Sequence, residues 1–263
     1  MNTTSKRDVS SPENGSHITQ RRDTLEENMN STKKTARLAG LFWLLAAVTG
    51  GFGLFYIRSY VIVPGDAAAT VANIRAAEFL YRAAIVGTLL SQVFLFFFGL
   101  TLFRLFKEVH KGLATGLLTA IMLTVGIAVV NTLNHFGALL VSSQPDYLRV
   151  FNPEQLNALT MIFLRLANGF GQGLLEIFWV LYFFPFGLLV IKSKYLPKIL
   201  GILLMTMSVG YAINILDKFL IPQFHPLLFT RLAMTLGGLG GVLTMLWLLI
   251  KGAKHQTVNG EAS

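Results

Sequence analysis

Six long apolar stretches, separated by short polar segments, dominate the chain after residue 37. Each stretch is close to the roughly 20 residues that cross a bilayer as an α-helix. The pattern therefore predicts an all-α integral membrane bundle of six transmembrane helices. We place the spans at residues 38–62, 83–103, 113–135, 168–191, 197–216 and 230–250.

The segments on either side of the bundle are polar. Residues 1–32 are rich in Ser, Thr, Asn, Glu and Arg and hold almost no large apolar side chains. Such a segment cannot bury enough apolar surface to offset its ordering entropy, so it predicts a disordered cytoplasmic tail. The expected organisation is this tail, a transmembrane domain over residues 33–252, and a short cytoplasmic tail over residues 253–263.

Two stretches of the sequence predict helix in addition to the six membrane spans. Asn152 followed by Pro153 is typical of a helix N-cap with proline at the first helical position. A helix from there to Ile191 is too long for one crossing, so we expect its first turns to stand outside the membrane. The alternative is a break at one of three glycines: Gly169, Gly171 and Gly173. Residues 67–79 predict a short helix that leads into the second span.

The composition agrees with a membrane protein and narrows the chemistry. Hydrophobic residues make up 53% and charged residues 13% of the chain, whereas soluble domains carry about 25% charge. The chain has no cysteine, which excludes a disulfide scaffold, a zinc ribbon and thiol chemistry. No common hydrolase, metalloprotease or nucleotide-binding motif occurs. We therefore expect no catalytic residue, no cofactor and no metal site.

The basic residues predict an orientation. Of the 22 lysines and arginines, 15 lie in alternate segments: the two tails, the loop between spans two and three, and the loop between spans four and five. Loops on the cytoplasmic side of a membrane carry an excess of Lys and Arg. Both termini are therefore expected in the cytoplasm. The protein itself is expected in the plasma membrane. Because the net charge of +9 is spread over these loops, we expect the bilayer and no nucleic acid as a partner.

A weak internal similarity links two hairpins. Phe98-Gly99-Leu100 in span two recurs as Phe186-Gly187-Leu188 in span four, and a segment beginning at Asn131 resembles one beginning at Asn214. Both hairpins would run in the same direction, so the similarity predicts a parallel repeat of spans 2–3 and 4–5 rather than an inverted one. Chance matches among Leu, Phe and Gly are the alternative.

Polar residues within the spans are the candidates for function, because ionisable groups inside a bilayer are costly. A rise of 1.5 Å per residue puts Glu176 about 22 Å, and Asp217 about 28 Å, above the inner boundary. The polar groups thus converge on the outer half, and Arg82 and Arg231 would pair with the carboxylates or receive an anion. In span four, four polar residues share one helix face: Arg165, Asn168, Gln172 and Glu176. The full set of candidate ligand-binding residues is Glu176, Gln172, Asp217, Asn214, Arg82, His135 and Arg231.

Several motifs together resemble a known family. They are Glu176-Ile-Phe-Trp, Pro185-Phe-Gly187, Leu196-Pro197-Lys-Ile-Leu-Gly201, Gly210-Tyr211 and Trp247-Leu-Leu-Ile-Lys-Gly252. In order and spacing they resemble the bacterial integral membrane family catalogued as domain of unknown function 4386, over about residues 36–252. Members of that family often carry an acidic residue just before the final tryptophan motif, where this chain has Gly-Gly-Leu-Gly-Gly at residues 237–241. The resemblance implies a multi-pass membrane protein and supplies no activity.

Three functions remain open from the sequence. The first is binding or transport of a small extracytoplasmic solute in a polar pocket of the outer half. The second is a non-catalytic scaffold or sensor, in which the same polar groups form interhelical hydrogen bonds and the arginines extend to the interface. The third, an intramembrane enzyme, requires a water-filled site around Glu176. The oligomeric state is open.

Overall fold

The computed structural model describes residues 12–220 and 228–253, and this part of the chain contains helices and no strand. The helices are α1 (Pro12–Tyr56), α2 (Ala67–Ala76), α3 (Glu78–Phe106), α4 (Lys111–Ser142), α5 (Pro153–Arg165), α6 (Gln172–Ser193), α7 (Lys198–Leu220) and α8 (Leu228–Ile250). Two π-helical segments, Ile57–Val61 and Leu166–Gly171, continue α1 and join α5 to α6.

Six helical stretches are long and apolar enough to cross a membrane, which confirms the predicted six-span bundle. They are Asn30–Val61, Glu78–Phe106, Lys111–Ser142, Pro153–Ser193, Lys198–Leu220 and Thr230–Ile250. Each includes most or all of a predicted span. The helices extend beyond most of the predicted ends.

Short polar signals set the helix starts. The Asn152 side chain accepts a hydrogen bond from the backbone N–H of Gln155 at 2.9 Å, and the Gln155 side chain accepts one from the Asn152 N–H at 2.9 Å. This capping box satisfies two N–H groups that a helix start leaves without partners, and Pro153 occupies the first turn as predicted. The predicted lead-in helix is confirmed as α2, which Asp66 caps.

The six spans close into a ring. In order around the bundle the neighbours are α1, α3, α4, α6, α7 and α8, and α8 packs back against α1. We call the end where α4 leads into α5 the α4–α5 end, and the opposite one the α3–α4 end. The predicted cytoplasmic loops share the α3–α4 end, while the side of the membrane that this end faces and the parallel repeat stay predictions.

An aromatic cluster fills the half of the ring toward the α3–α4 end. Trp43, Phe98 and Phe186 meet with ring centroids 5.0 to 6.2 Å apart, and Phe106 lies 6.0 Å from Phe186. The three phenylalanines are fully buried. We call these four side chains the aromatic plug. A smaller apolar core at the α4–α5 end joins α2 and α5 to the ring.

The first helix differs from the sequence analysis at its start. It continues back to Pro12, through residues for which the sequence predicts a disordered tail. Residues 1–11 and 254–263 lie outside the described part of the chain. The division into tails and a transmembrane domain therefore stays a prediction.

Candidate functional site: a buried carboxylate between α6 and α7

Glu176 is the most deeply buried charged residue in the described spans, with 5% of its surface exposed. Its two carboxylate oxygens bind two residues of α7. Oε2 accepts a hydrogen bond from Asn214 Nδ2 at 2.7 Å, and Oε1 lies 3.0 Å from the Lys218 ammonium. Buried charges need a partner and saturated hydrogen bonding, and α7 supplies both from successive turns of one face.

The lysine of this pair is only partly covered. The Lys218 side chain keeps 33% of its surface exposed, against 6% for the Glu176 side chain. The aliphatic part of Lys218 runs beside Gly173, where an added Cβ would come within 3.3 Å of Lys218 Cδ and 2.8 Å of the Phe219 ring. Glycine at this position therefore lets α7 approach α6 closely enough for the ion pair to form.

The π-helical segment before α6 forms a second polar contact with α4. Asn131 donates a hydrogen bond to the Ala167 carbonyl at 3.1 Å and accepts one from Asn134 at 3.1 Å. The Asn131 amide occupies the space that a Cβ on Gly171 would take. An asparagine of a neighbouring span thus satisfies a backbone carbonyl within the π-helical segment.

The predicted single polar face of span four is wrong because of this segment. A π-helical turn holds more residues than an α-helical turn, so Leu166–Gly171 rotates the side chains of α6 relative to those of α5. Arg165 is exposed, Asn168 bonds the Leu164 carbonyl of its own helix, and Glu176 faces α7. Gln172, half-buried, opens α6 one turn before Glu176.

The predicted arginine pairing is also wrong. Arg82 lies 2.7 Å from Glu78, four residues earlier on α3, and this pair is about half exposed. Arg82 lines a groove of about 440 Å³ along α4, between Leu133 and Ser143, to which Glu176, Asn214 and Asp217 do not contribute. Arg231 is exposed and forms no ion pair with the residues that the structure describes.

His135 contacts Tyr81 and is separate from the Glu176 cluster. Its Nδ1 is 3.4 Å from the Tyr81 hydroxyl, and the two rings meet edge to face at 6.4 Å. The structure thus joins Glu176 and Asn214, adds Lys218 to them, and leaves His135 and Arg82 in contacts of their own. The spacing of Asn214 and Lys218, four residues apart on one helix face, is the signal that could have identified Lys218.

Asp217 lies in the last turn of α7 and does not take part in the Glu176 contacts. Its Oδ1 is buried and has no hydrogen-bond partner in the described structure. No group of three or more His, Asp or Glu side chains that could hold a metal occurs within residues 12–220 and 228–253.

The fold and the intramembrane ion pair define a multi-pass helical membrane protein. The family model described as a domain of unknown function (DUF4386) matches residues 38–252, and the chain belongs to this family. No curated protein and no solved structure matches the chain.

Proposed function

We propose that the protein binds a small ammonium-bearing solute at Glu176, where the solute replaces the Lys218 ammonium. The observation that carries this proposal is the asymmetry of the pair: the carboxylate is buried, while its cation is one-third exposed. An ionisable residue in a span is a functional candidate by default because burying it is costly. Ligand exchange requires that the Lys218 ammonium can leave while the Glu176 carboxylate stays covered by the protein.

The surroundings favour entry from the α4–α5 end. Lys218 lies near the end of α7 at this side, and the aromatic plug fills the opposite half of the ring. A solute that reached Glu176 from the α4–α5 end would meet Asn214 as a further polar contact. This arrangement supports binding; passage through the bundle would require the plug to rearrange.

Chemical rescue tests the exchange directly. Lys218→Ala removes the internal ammonium and leaves Glu176 buried without its cation, so the purified protein in nanodiscs should unfold at a lower temperature. Added ethylammonium or propylammonium should restore the unfolding temperature of this variant, since either can occupy the vacated position. The double variant Glu176→Gln/Lys218→Ala should not respond, because no charge remains to be satisfied.

The wild-type protein tests ligand binding itself. A panel of amino acids, diamines and amino alcohols should contain compounds that raise its unfolding temperature, and Glu176→Gln should abolish the effect. Arg82→Ala, which removes an exposed ion pair outside the cluster, serves as the control and should keep it. The proposal fails if Lys218→Ala is not rescued and no compound stabilises the wild type.

A non-catalytic scaffold or sensor is the second candidate. Both oxygens of Glu176 are already satisfied by α7, so the pair also suits a fixed polar link between two spans. Deleting residues 1–32 tests a contact through the tail: loss of co-purifying partners with unchanged thermal stability would favour this candidate.

A further inference from the structure

We propose that Asp217 and Thr230 form a binding site for a monovalent cation between α7 and α8. Both residues carry a buried side-chain oxygen, Asp217 Oδ1 and Thr230 Oγ1, that has no hydrogen-bond partner in the described structure. Buried polar groups are nearly always satisfied, so each such atom requires an explanation. Asp217 lies in the last turn of α7 and Thr230 in the first turn of α8, and these two helices pack on each other.

The packing of α7 on α8 brings these residues together. A Cβ on Gly210 would lie 3.3 Å from Ala233 Cβ and 3.1 Å from Met234 Cγ, and Gly237 packs against Met207. The helices run antiparallel, so Thr230, one turn before Ala233 and Met234, opposes the turns of α7 that come after Gly210. Thr230 shares the α7-facing side of α8 and is 2% exposed.

Asp217 lies on the matching side of α7. Met207, Gly210 and Asp217 have spacings of three and seven, which put them on one helix face. The first two contact α8, so the same face carries Asp217 toward the start of α8. Lys218, one position on, turns toward α6 and Glu176 instead.

Among the residues that the structure describes, one negative charge of this region has no charged partner. Lys218 neutralises Glu176, and no basic side chain of the described chain lies within ion-pair distance of Asp217. Asp217 also occupies the last turn of α7, where the helix dipole is negative and an acidic side chain is unfavourable. Arg231, beside Thr230, is exposed and forms no ion pair with Asp217. A single positive charge at this point would offset both effects.

The available ligands select the class of cation. They are oxygens, the Asp217 carboxylate and the Thr230 hydroxyl. Oxygen ligands suit hard cations, and Ca²⁺ sites usually hold several carboxylates, while Mg²⁺ keeps several of its waters. One carboxylate with neutral oxygens matches Na⁺ or K⁺. This inference does not rest on solute exchange at Glu176, which uses Asn214 and Lys218 on the adjoining side of α7.

Thermal unfolding in matched salts tests the site. The purified full chain in phosphatidylethanolamine–phosphatidylglycerol nanodiscs should unfold at a higher temperature in NaCl or KCl than in tetraethylammonium chloride of equal ionic strength, whose cation is bulky and has no N–H group to offer Glu176. Asp217→Asn should abolish the difference. Thr230→Val keeps the shape and removes one ligand, and should raise the half-saturating cation concentration about tenfold.

Thr244→Val is the matched control. Thr244 lies on the same helix and is fully buried, but its hydroxyl already bonds the Gly240 carbonyl at 2.7 Å. This variant should keep the cation response of the wild type. Arg82→Ala should keep it as well, and Asp217→Asn should leave ammonium rescue of Lys218→Ala intact, so the two proposals fail independently.

Three results would overturn the proposal. The first is an equal unfolding temperature of the wild type in sodium, potassium and tetraethylammonium salts. The second is an unchanged response in Thr230→Val, which remains informative if Asp217→Asn does not fold. The third is an infrared band of a protonated carboxyl group at neutral pH that disappears in Asp217→Asn, because a neutral Asp217 needs no cation.

Discussion

Glu176 is stabilised by two residues of one neighbouring helix, and their contributions can be separated. Asn214 is a neutral donor to the carboxylate at 2.7 Å, whereas Lys218 brings a positive charge at 3.0 Å. Hydrogen bonds to charged groups are stronger than neutral ones, and loss of one member of a buried pair leaves the other uncompensated. Because Lys218 is one-third exposed, water can replace part of its contribution.

A double-mutant cycle measures the coupling of the pair. Glu176→Gln and Lys218→Met should each lower the free energy of unfolding, and the double variant should lose less than the sum. We expect an interaction energy of about 0.5–3 kcal/mol, measured by reversible unfolding in mixed micelles. Glu78→Gln with Arg82→Met is the exposed comparison and should couple by about 0.2–1 kcal/mol. Equal coupling in the two cycles would contradict a special role for burial.

For single residues, the sequence predicts one contact of the Glu176 cluster and misses the others. Glu176 and Asn214 do meet, as their shared depth suggests. Their third partner and the isolation of Arg82 could not be predicted from depth alone, because two residues at one height can face opposite sides of the ring. The Glu78–Arg82 pair, by contrast, agrees with a spacing of four on one helix.

The π-helical segment between α5 and α6 decides which side chains face the bundle. A regular helix would align Arg165 with Glu176, but Leu166–Gly171 separates them. The glycines in this region predicted an irregularity and not its type, because a break, a kink and a π-helical turn use the same residues. The contact with Asn131, more than thirty residues away in sequence, fixes the outcome.

Two glycine substitutions in that segment should differ in sign. Gly171→Ala places a methyl group in the space of the Asn131 amide and should lower the free energy of unfolding by about 1–3 kcal/mol. Gly169→Ala meets nothing within 4 Å and should be neutral or stabilise by up to about 1 kcal/mol. Reversible unfolding measures both, and equal destabilisation would contradict the close packing of Asn131 on Gly171.

The ring of six spans depends on the contact between its first and last members. A Cβ on Gly40 would meet the backbone of Leu248 and Leu249, and Arg37 donates a hydrogen bond to the Ile250 carbonyl at 3.0 Å. The number of spans can be predicted from hydropathy. The closure of the ring cannot, because an apolar helix face packs equally well on lipid or on another helix.

Separating α1 from α8 should destabilise the whole bundle. Gly40→Leu forces α1 away from α8 and should lower the unfolding temperature. Gly51→Leu, on the same helix with nothing within 4 Å of its added Cβ, is the control and should leave it unchanged. Thermal unfolding in nanodiscs compares them. If both variants unfold like the wild type, the contact between α1 and α8 does not contribute to stability.

The contact between α1 and α8 also determines when the ring of spans can close during synthesis. During synthesis α1 enters the membrane before the other five spans, yet one of its two neighbours is α8, the last of the six to leave the ribosome. Arg37 and Gly40, which contact α8, therefore face lipid or the insertion machinery until α8 has been translated. We expect nascent chains that stop before α8 to remain associated with the insertase, and chains that include α8 to be released as the ring closes.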